Sequence, residues 1–337
     1  MAEYHEVSYH AQVLRLRPTA MQALARYPLE VARLSILNHG YNSTFRVDTV
    51  DGQRFALRLA VTSGKAAADL EAEMAWLDAL HRDTDLRLPV PQRTLDGRLY
   101  TEVWCDATGA TIPAALFAWL PGRDLGKAAT PEALHEVGRI TAALHEHTER
   151  WHLPPGARLQ SLRSVLAELP DRLDHPLPEF TAPRRALWAQ ARAVCQAATD
   201  AVWARSTPQV LHADIHLANL KLHRGKVALF DFDDSAIGVP LQDLAISVYY
   251  VRGHEGLEEA LFDGYASVRP LPAASREEFE GVVAGRQLLL LDDLVATGNA
   301  ALQAIFARYV RNAEIKLRHF LATGRFEHRL EGVETLW

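Results

Sequence analysis

The stretch from Gln209 to Ala245, QVLHADIHLANLKLHRGKVALFDFDDSAIGVPLQDLA, constrains this chain more than any other. Two apolar runs, residues 220–223 and 227–232, flank Arg224-Gly225-Lys226, and a short Gly-containing link between such runs predicts a tight hairpin. Folding it sets Asn219, just before the first strand, beside Asp231, near the end of the second, although twelve positions separate them. Asp214 lies five residues ahead of Asn219, so one loop can hold both near a common point. Two carboxylates and an amide at a hairpin mouth make a hard, oxygen-rich site. Such a site suits Mg2+, which takes one or two protein carboxylates and completes its shell with substrate phosphates.

Composition narrows the context of that block. At 337 residues the chain is long enough for two domains of roughly 150 residues each. A hydrophobic share of 48% against 23% charged is an ordinary globular balance, enough to bury a core and exclude disorder. The apolar run at 288–291 is cut by Asp292 and Asp293, far short of the ~20 residues a membrane span needs. The first ten residues, MAEYHEVSYH, lack an apolar segment, so no secretory signal is expected. Cys105 and Cys195 are isolated, which excludes a disulfide scaffold or a zinc finger and suits a reducing cytoplasm. A net charge of −6 with no basic run argues against nucleic acid as a partner, and no membrane partner is expected either. The oligomeric state is expected to be a monomer or a homodimer.

Along the chain the pattern changes once. Residues 35–59 hold two strand-like runs around Asp51-Gly52, a strong hairpin signal. A helix over 66–81 follows, then LPVPQRT, whose prolines exclude a helix interior, then a second turn at Asp96-Gly97. Beyond the Phe117-to-Arg123 joint, Ala, Leu, Arg and Glu dominate, predicting helices over 131–147, 158–174, 181–204 and 275–323. The expectation is an α+β, bilobal chain, with a small β-rich lobe over 1–120 and a larger, mainly helical lobe over 121–337.

His212-x-Asp214-x-x-x-x-Asn219, then Asp231-Phe232-Asp233, then Asp243-Leu244-Ala245, resembles the aminoglycoside/choline phosphotransferase family, which includes homoserine kinases and a bacterial stress-response Ser/Thr kinase. The resemblance implies a protein-kinase-like fold in which the small lobe binds nucleotide and the large lobe carries catalysis and the acceptor. It matches Asp214 to the catalytic base of the kinase pattern H-R-D-x-x-x-x-N, and Asn219 and Asp231 to Mg2+ ligands. The Gly of the kinase D-F-G is absent. Asp243 is implied to brace the catalytic loop and His212 to support its geometry. A rival reading makes His212-x-Asp214-x-His216 a transition-metal site, but the remaining downstream histidines, 223, 254, 319 and 328, stand singly rather than in the clusters a metallo-hydrolase uses.

In the kinase architecture a basic strand residue grips the nucleotide phosphates and pairs with a helix Glu. Arg58, in FALRL, stands where V-A-I-K has Lys; guanidinium is a planar fork rather than a point charge, yet it binds phosphate bidentately. At roughly 100° per residue, Leu70, Met74, Trp76, Leu77 and Leu80 share one face of the 66–81 helix, and Glu73 falls within that face. A carboxylate in an apolar stripe calls for a partner, and Arg58 is the nearest basic candidate. Glu71, on the other side of the face, is the alternative. The turn Leu37-Asn38-His39-Gly40-Tyr41-Asn42-Ser43-Thr44 has one Gly where a kinase loop has three. Its backbone N–H groups and the Ser43 or Thr44 hydroxyl are the candidates to cover the phosphates. His145, at the end of the 131–147 stripe, reads as packing or capping.

The resemblance therefore implies Mg2+-dependent transfer of the γ-phosphoryl group of ATP or GTP to a small-molecule alcohol. An amino alcohol, homoserine or an aminoglycoside all fit. A protein Ser/Thr kinase of the stress-response type and a non-catalytic nucleotide-binding protein are the alternatives. The absence of an A-P-E segment argues against a phosphorylated activation loop. The acceptor is expected among residues 155–205 and 245–325, and Asp292 and Asp293 there, with Asp233 and Asp234 just before the second stretch, could draw an ammonium group.

Overall fold

In the computed structural model, which describes residues 4, 7–40, 42–61, 67–298 and 300–335, the chain opens with a helix the sequence reading did not anticipate. Helix α1 (Tyr9–Leu24) carries Pro18 in its interior, where the ring removes one backbone hydrogen bond. Its apolar side chains nonetheless recur at helical spacing, and Val13, Leu16, Ala20, Ala23 and Leu24 are buried. They share a core with Phe45, Val47, Leu57 and Leu59. Burial of that face outweighs the proline.

The sheet of this first part contains β1 (Val31–His39), β2 (Ser43–Thr49), β3 (Arg54–Leu59), β4 (Thr101–Cys105) and β5 (Ala110–Ala118), in the order β1-β2-β3-β5-β4. Every pairing is antiparallel. Along β2 the buried residues alternate with half-exposed ones, as in a sheet with one face on a core. The Asp51-Gly52 turn links β2 to β3, with Gly52 at φ +83°. Helix α2 (Ala67–Asp83) starts within one residue of the expected position, Ala66 itself lying outside the described residues. The Pro-rich stretch stays extended: Pro91 bridges Phe117, and the Gln92 N–H donates to the Leu116 carbonyl at 2.7 Å.

The remaining elements are β6 (Arg123–Asp124), α3 (Pro131–Thr148), β7 (Gln160–Ser161), α4 (Ala182–Trp203), β8 (Gln209–Leu211), β9 (Leu220–His223), β10 (Lys226–Leu229), β11 (Ala236–Gly238), α5 (Pro240–Val251), α6 (Leu257–Ala266), α7 (Arg276–Ala296) and α8 (Ala300–Thr323). Two small sheets, β10-β9-β6 and β7-β11-β8, sit among these helices. The expected helix at 275–323 is two helices, α7 ending where Thr297 turns extended. The expected helix at 158–174 does not form. Its backbone finds partners elsewhere: the Gln196 side chain accepts from the Val165 N–H and donates to the Arg163 carbonyl, at 3.0 and 2.9 Å, and Asp292 accepts from the Arg172 N–H at 2.6 Å. Tertiary hydrogen bonds have overridden helix-forming composition.

The chain resolves into two compact units, Met1–Gly122 with His152–Leu159, and Arg123–Trp151 with Gln160–Trp337. The chain passes from the first unit after Gly122, and residues 152–159 group with the first unit again. The Arg158 N–H, for example, donates to the Ala68 carbonyl at 3.1 Å. In the second unit α3 and α6 touch through glycines: a Cβ on Gly264 would stand 1.9 Å from the His135 carbonyl oxygen, and one on Gly138 2.1 Å from that of Leu261. No helix among the described residues is long and apolar enough to cross a membrane.

Candidate active site

In the first unit, β3 presents Arg58 opposite Thr44 of β2 and Ala115 of β5. Its Nη2 donates to Glu73 Oε2 on α2, and the two side chains are only 11% and 4% exposed. The guanidinium also stands 5.4 Å from the Phe117 ring centroid. Glu71 is exposed, so of the two candidates it is Glu73 that meets Arg58. The turn between β1 and β2 is tied down from outside. His39 Nδ1 pairs with the fully buried Ser43 Oγ, and His39 Nε2 with Gln12 Oε1 of α1, both at 2.7 Å. The Ser43 hydroxyl is thus already engaged, while Thr44 is half-exposed. Tyr41 lies outside the described residues.

In the second unit the hairpin forms as expected. Leu220 pairs with Leu229 and His223 with Lys226, around a two-residue turn in which Arg224 and Gly225 both take positive φ. At its open end the Phe230 N–H donates to the Asn219 carbonyl at 3.0 Å, which sets Asn219 across from Phe230 with Asp231 next in line. Asp231 itself sits at φ +70°.

The loop before the hairpin is held from below. Ala213 lies in the left-handed region at φ +63°, a conformation that costs a non-Gly residue about 1–3 kcal/mol. Asp243 of α5, fully buried, stabilises it: its Oδ1 accepts from the Ala213 N–H at 2.7 Å and its Oδ2 from the His212 N–H at 3.2 Å. His145 Nε2 meets the same Oδ2 at 3.1 Å, and His145 Nδ1 meets the Tyr265 hydroxyl at 2.9 Å. His145 is therefore part of a buried polar chain rather than simple packing. His212 is also committed. Its Nε2 donates to the Phe230 carbonyl at 3.2 Å and its Nδ1 accepts from the Asp214 N–H at 3.3 Å. Burial favours its neutral form and lowers its pKa, Asp243 notwithstanding. With both ring nitrogens occupied, His212 has none for a metal, and no cluster of three or more His, Cys, Asp or Glu able to hold a metal occurs among the described residues.

Asp214 is gripped on three sides. Asn219 Nδ2 donates to its Oδ2 at 3.0 Å, and to its main-chain carbonyl at the same distance. His216 Nε2 approaches Oδ2 at 3.2 Å, while His216 Nδ1 accepts from the Ala218 N–H at 3.1 Å, so the Nε2–H tautomer fits. Arg286 Nη2, from α7, donates to Oδ1. Burial alone would raise the Asp214 pKa, but the His216 hydrogen bond and the Arg286 charge outweigh it and hold the carboxyl below its usual range. The two Asn219 Nδ2 bonds also fix its amide, so that the oxygen is the group it offers to a cation.

Sequence reasoning missed Arg286, Tyr250 and the His216 contact. The signal for Arg286 was present: it is one cation inside VVAGRQLLLL, the same logic that selected Glu73. Tyr250 reads as one more aromatic in an apolar helix. Asp292, read as a possible attraction for an ammonium group, is fully buried and paired with Arg172, so it anchors the 162–177 segment instead.

The family model described as the phosphotransferase enzyme family matches residues 13–277. Over 231 residues the chain is 24% identical to the amicoumacin kinase of Bacillus subtilis (strain 168), covering 68% of this chain and 66% of that protein, just under two thirds of its length. Among solved structures it is similar to a microcompartment-associated aminopropanol kinase, at a TM-score of 0.75 and 25% identity, covering 93% of this chain and 99% of the other. It is similar in fold to an amicoumacin kinase in complex with AMP-PNP, Ca2+ and Ami, at a TM-score of 0.73 and 18% identity, covering 92% and 96%.

Proposed function

This chain belongs to the phosphotransferase enzyme family, and on that premise we propose that it transfers the γ-phosphoryl group of ATP or GTP to a hydroxyl of a small-molecule acceptor. The observation that carries the reading is the clamp on Asp214. A carboxylate offers about four lone-pair positions. Asn219 and His216 take two on Oδ2 and Arg286 takes one on Oδ1, which leaves one on Oδ1 for an incoming hydroxyl. A carboxylate held anionic is a weak base. That suits a loose phosphoryl-transfer transition state, in which the nucleophile needs orientation more than early deprotonation.

Asn219 and Asp231 are the residues to hold Mg2+. One amide oxygen and one carboxylate at a hairpin mouth fit a metal that takes most of its shell from phosphates and water. Bound there, Mg2+ would neutralise charge on the transferring phosphates. Arg58, steadied by Glu73, supplies fixed positive charge for the nucleotide phosphates, and the β1–β2 turn adds backbone N–H groups and the Thr44 hydroxyl. In this division residues 1–120 bind nucleotide and residues 121–337 carry the base, the metal ligands and the acceptor site.

Labelled nucleotide offered with a panel of alcohols tests the reading. Asp214→Asn should cut transfer by at least ~100-fold, since a general base contributes about 10²–10⁴-fold. Transfer at the wild-type rate in that variant would remove Asp214 from the role. Stabilisation of the protein by nucleotide should require Mg2+, and stabilisation indifferent to Mg2+ would count against Asn219 and Asp231 as ligands.

A further inference from the structure

Strand alternation separates two neighbouring hydroxyls at the start of β2. Thr44 pairs with Arg58 and lies on its face of the sheet, whereas Ser43 pairs with Leu59 and turns toward the core that Leu59 shares with α1. In β1 one residue is extra: Ile36 pairs with Phe45 but Asn38 with Thr44, leaving the exposed Leu37 between them. A bulge of this kind re-aims the side chains beyond it. In unbroken register Asn38 would stand opposite Ser43; with the bulge His39 does. His39 Nδ1 then meets Ser43 Oγ and its Nε2 meets Gln12 Oε1 of α1, both at 2.7 Å, with the Tyr4 and Tyr9 rings edge-on at 6.3 and 5.2 Å. One carbonyl fixes where the protons sit. Gln12 Nε2 donates to the Val7 carbonyl at 3.1 Å, which turns Oε1 toward His39. That oxygen only accepts, so His39 Nε2 carries the hydrogen and, in the neutral ring, Nδ1 accepts from the Ser43 hydroxyl. Burial lowers the His39 pKa and favours that neutral ring. The Ser43 hydrogen is thus committed behind the sheet and is not offered to the face that carries Arg58.

From this relay we propose that α1 is a working part of the nucleotide site, with His39 the positioning residue that fixes the root of the β1–β2 turn from the face opposite the phosphates. The proposal rests on the reading of that turn and Arg58 as phosphate-binding groups. His39 is the last residue of β1 and Ser43 the first of β2, so the bond between their side chains closes the turn at its base. Gln12 ties that closure to a helix whose opposite side, with Val13, Leu16 and Ala20, is buried against the sheet. A loose turn has to be ordered when nucleotide binds, and that ordering is subtracted from affinity. A turn ordered on folding presents its N–H groups and the Thr44 hydroxyl already in place. Gln12, His39 and Ser43 act through the turn and touch neither nucleotide nor acceptor.

Titration calorimetry of the full chain with AMP-PNP and GMP-PNP, each with Mg2+, tests this without an acceptor. Gln12→Ala removes one bond of the relay and should weaken whichever analogue the wild type binds by about 2–12-fold, the net contribution of one hydrogen bond. His39→Ala removes both bonds and should weaken it at least as much. Gln12→Glu keeps an acceptor oxygen for His39 and should recover most of the loss. Because Gln12 acts through His39, adding Gln12→Ala to His39→Ala should weaken binding no further, whereas independent sites would add. Urea denaturation of the same variants separates a merely structural part. Variants that lose stability yet bind the analogue with wild-type affinity overturn the proposal. So do additive losses in the double variant, or no recovery in Gln12→Glu. Each of these leaves the phosphoryl-transfer reading standing. Should His39→Ala not fold, the half-buried Gln12 still decides through its Ala and Glu variants. A wild type that binds neither analogue overturns both readings.

Discussion

Arg58 and Glu73 allow stability and function to be separated in one experiment. Both side chains are nearly buried, at 11% and 4% exposure, and Arg58 also rests near the Phe117 ring. Replacing Arg58 by Met takes away the guanidinium that Glu73 pairs with, and breaking a buried pair from one side costs about 3–5 kcal/mol. Replacing both, Arg58→Met with Glu73→Leu, removes both desolvation penalties at once. Such apolar substitutions of whole pairs are near neutral or stabilise by about 1–4 kcal/mol. Urea denaturation followed by circular dichroism should therefore show the single variant well below wild type and the double variant close to it or above. The double variant then becomes the informative enzyme. A hydrogen bond to a charged partner contributes about 1.5–3 kcal/mol, so a folded protein without Arg58 should bind nucleotide at least ~10-fold more weakly. A double variant as unstable as the single one would refute the unpaired-charge argument and point to packing. Wild-type nucleotide affinity in the double variant would refute Arg58 as a phosphate ligand.

Asp243→Ala strips the acceptors from the His212 and Ala213 N–H groups; two buried donors left bare cost about 2–6 kcal/mol together, and a loss under ~1 kcal/mol in urea would show that the brace is dispensable. Gly264→Ala drives a methyl group to 1.9 Å from the His135 carbonyl. With backbone on both sides it should cost at least about 1–3 kcal/mol, and an unchanged melting temperature would mean that α3 and α6 part freely. His328 is pushed down to about 4 by burial, with the neighbouring Lys316 charge adding to the effect, while its Nε2 donates to the Tyr249 carbonyl. The unfolded chain takes up this proton near pH 6.5 and the folded chain only near 4, so stability is full above 6.5 and falls as pH drops through that window. The slope is at most about 1.4 kcal/mol per pH unit for one proton. His328→Asn should flatten the acid side by that much, and an identical pH profile in the variant would show that His328 does not titrate there.

What sequence made legible followed local rules. The hairpin at 220–229 was readable because two short apolar runs meet a Gly turn, and its register then dictates that Asn219 and Asp231 share one end. Glu73 was readable because a carboxylate centred in an apolar helical stripe calls for a partner. Failure came where distant groups decide. Helix α1 depends on burying its face against the sheet core, which its proline and polar leader conceal. Residues 158–174 have helical composition, but Gln196 and Asp292 capture their backbone, and neither partner is visible from within the segment. His145 looked like any histidine at a helix end, because Asp243 and Tyr265 are 98 and 120 residues away in sequence. The contact of Arg286 with Asp214, across 72 residues, belongs to the same class.

These long-range partners also explain why the Asp214 loop keeps an uphill conformation. Ala213 at φ +63° would relax if only its own loop held it. It is held by Asp243, whose Oδ2 is shared with His145, and His145 in turn bonds the Tyr265 hydroxyl. Tyr265 follows Gly264, and α3 can approach α6 closely enough for this bond only because Gly138 and Gly264 bring no side chains to the contact. The support for the loop thus runs through bare helix backbone into a carboxylate, and every polar group along it is buried. A buried polar chain of this kind specifies one arrangement strongly, since each member left unpaired adds its own desolvation cost. The backbone angle that aims Asp214 is therefore a property of how three helices pack. That is why the H-x-D-x-x-x-x-N pattern marks the proposed site without accounting for its geometry.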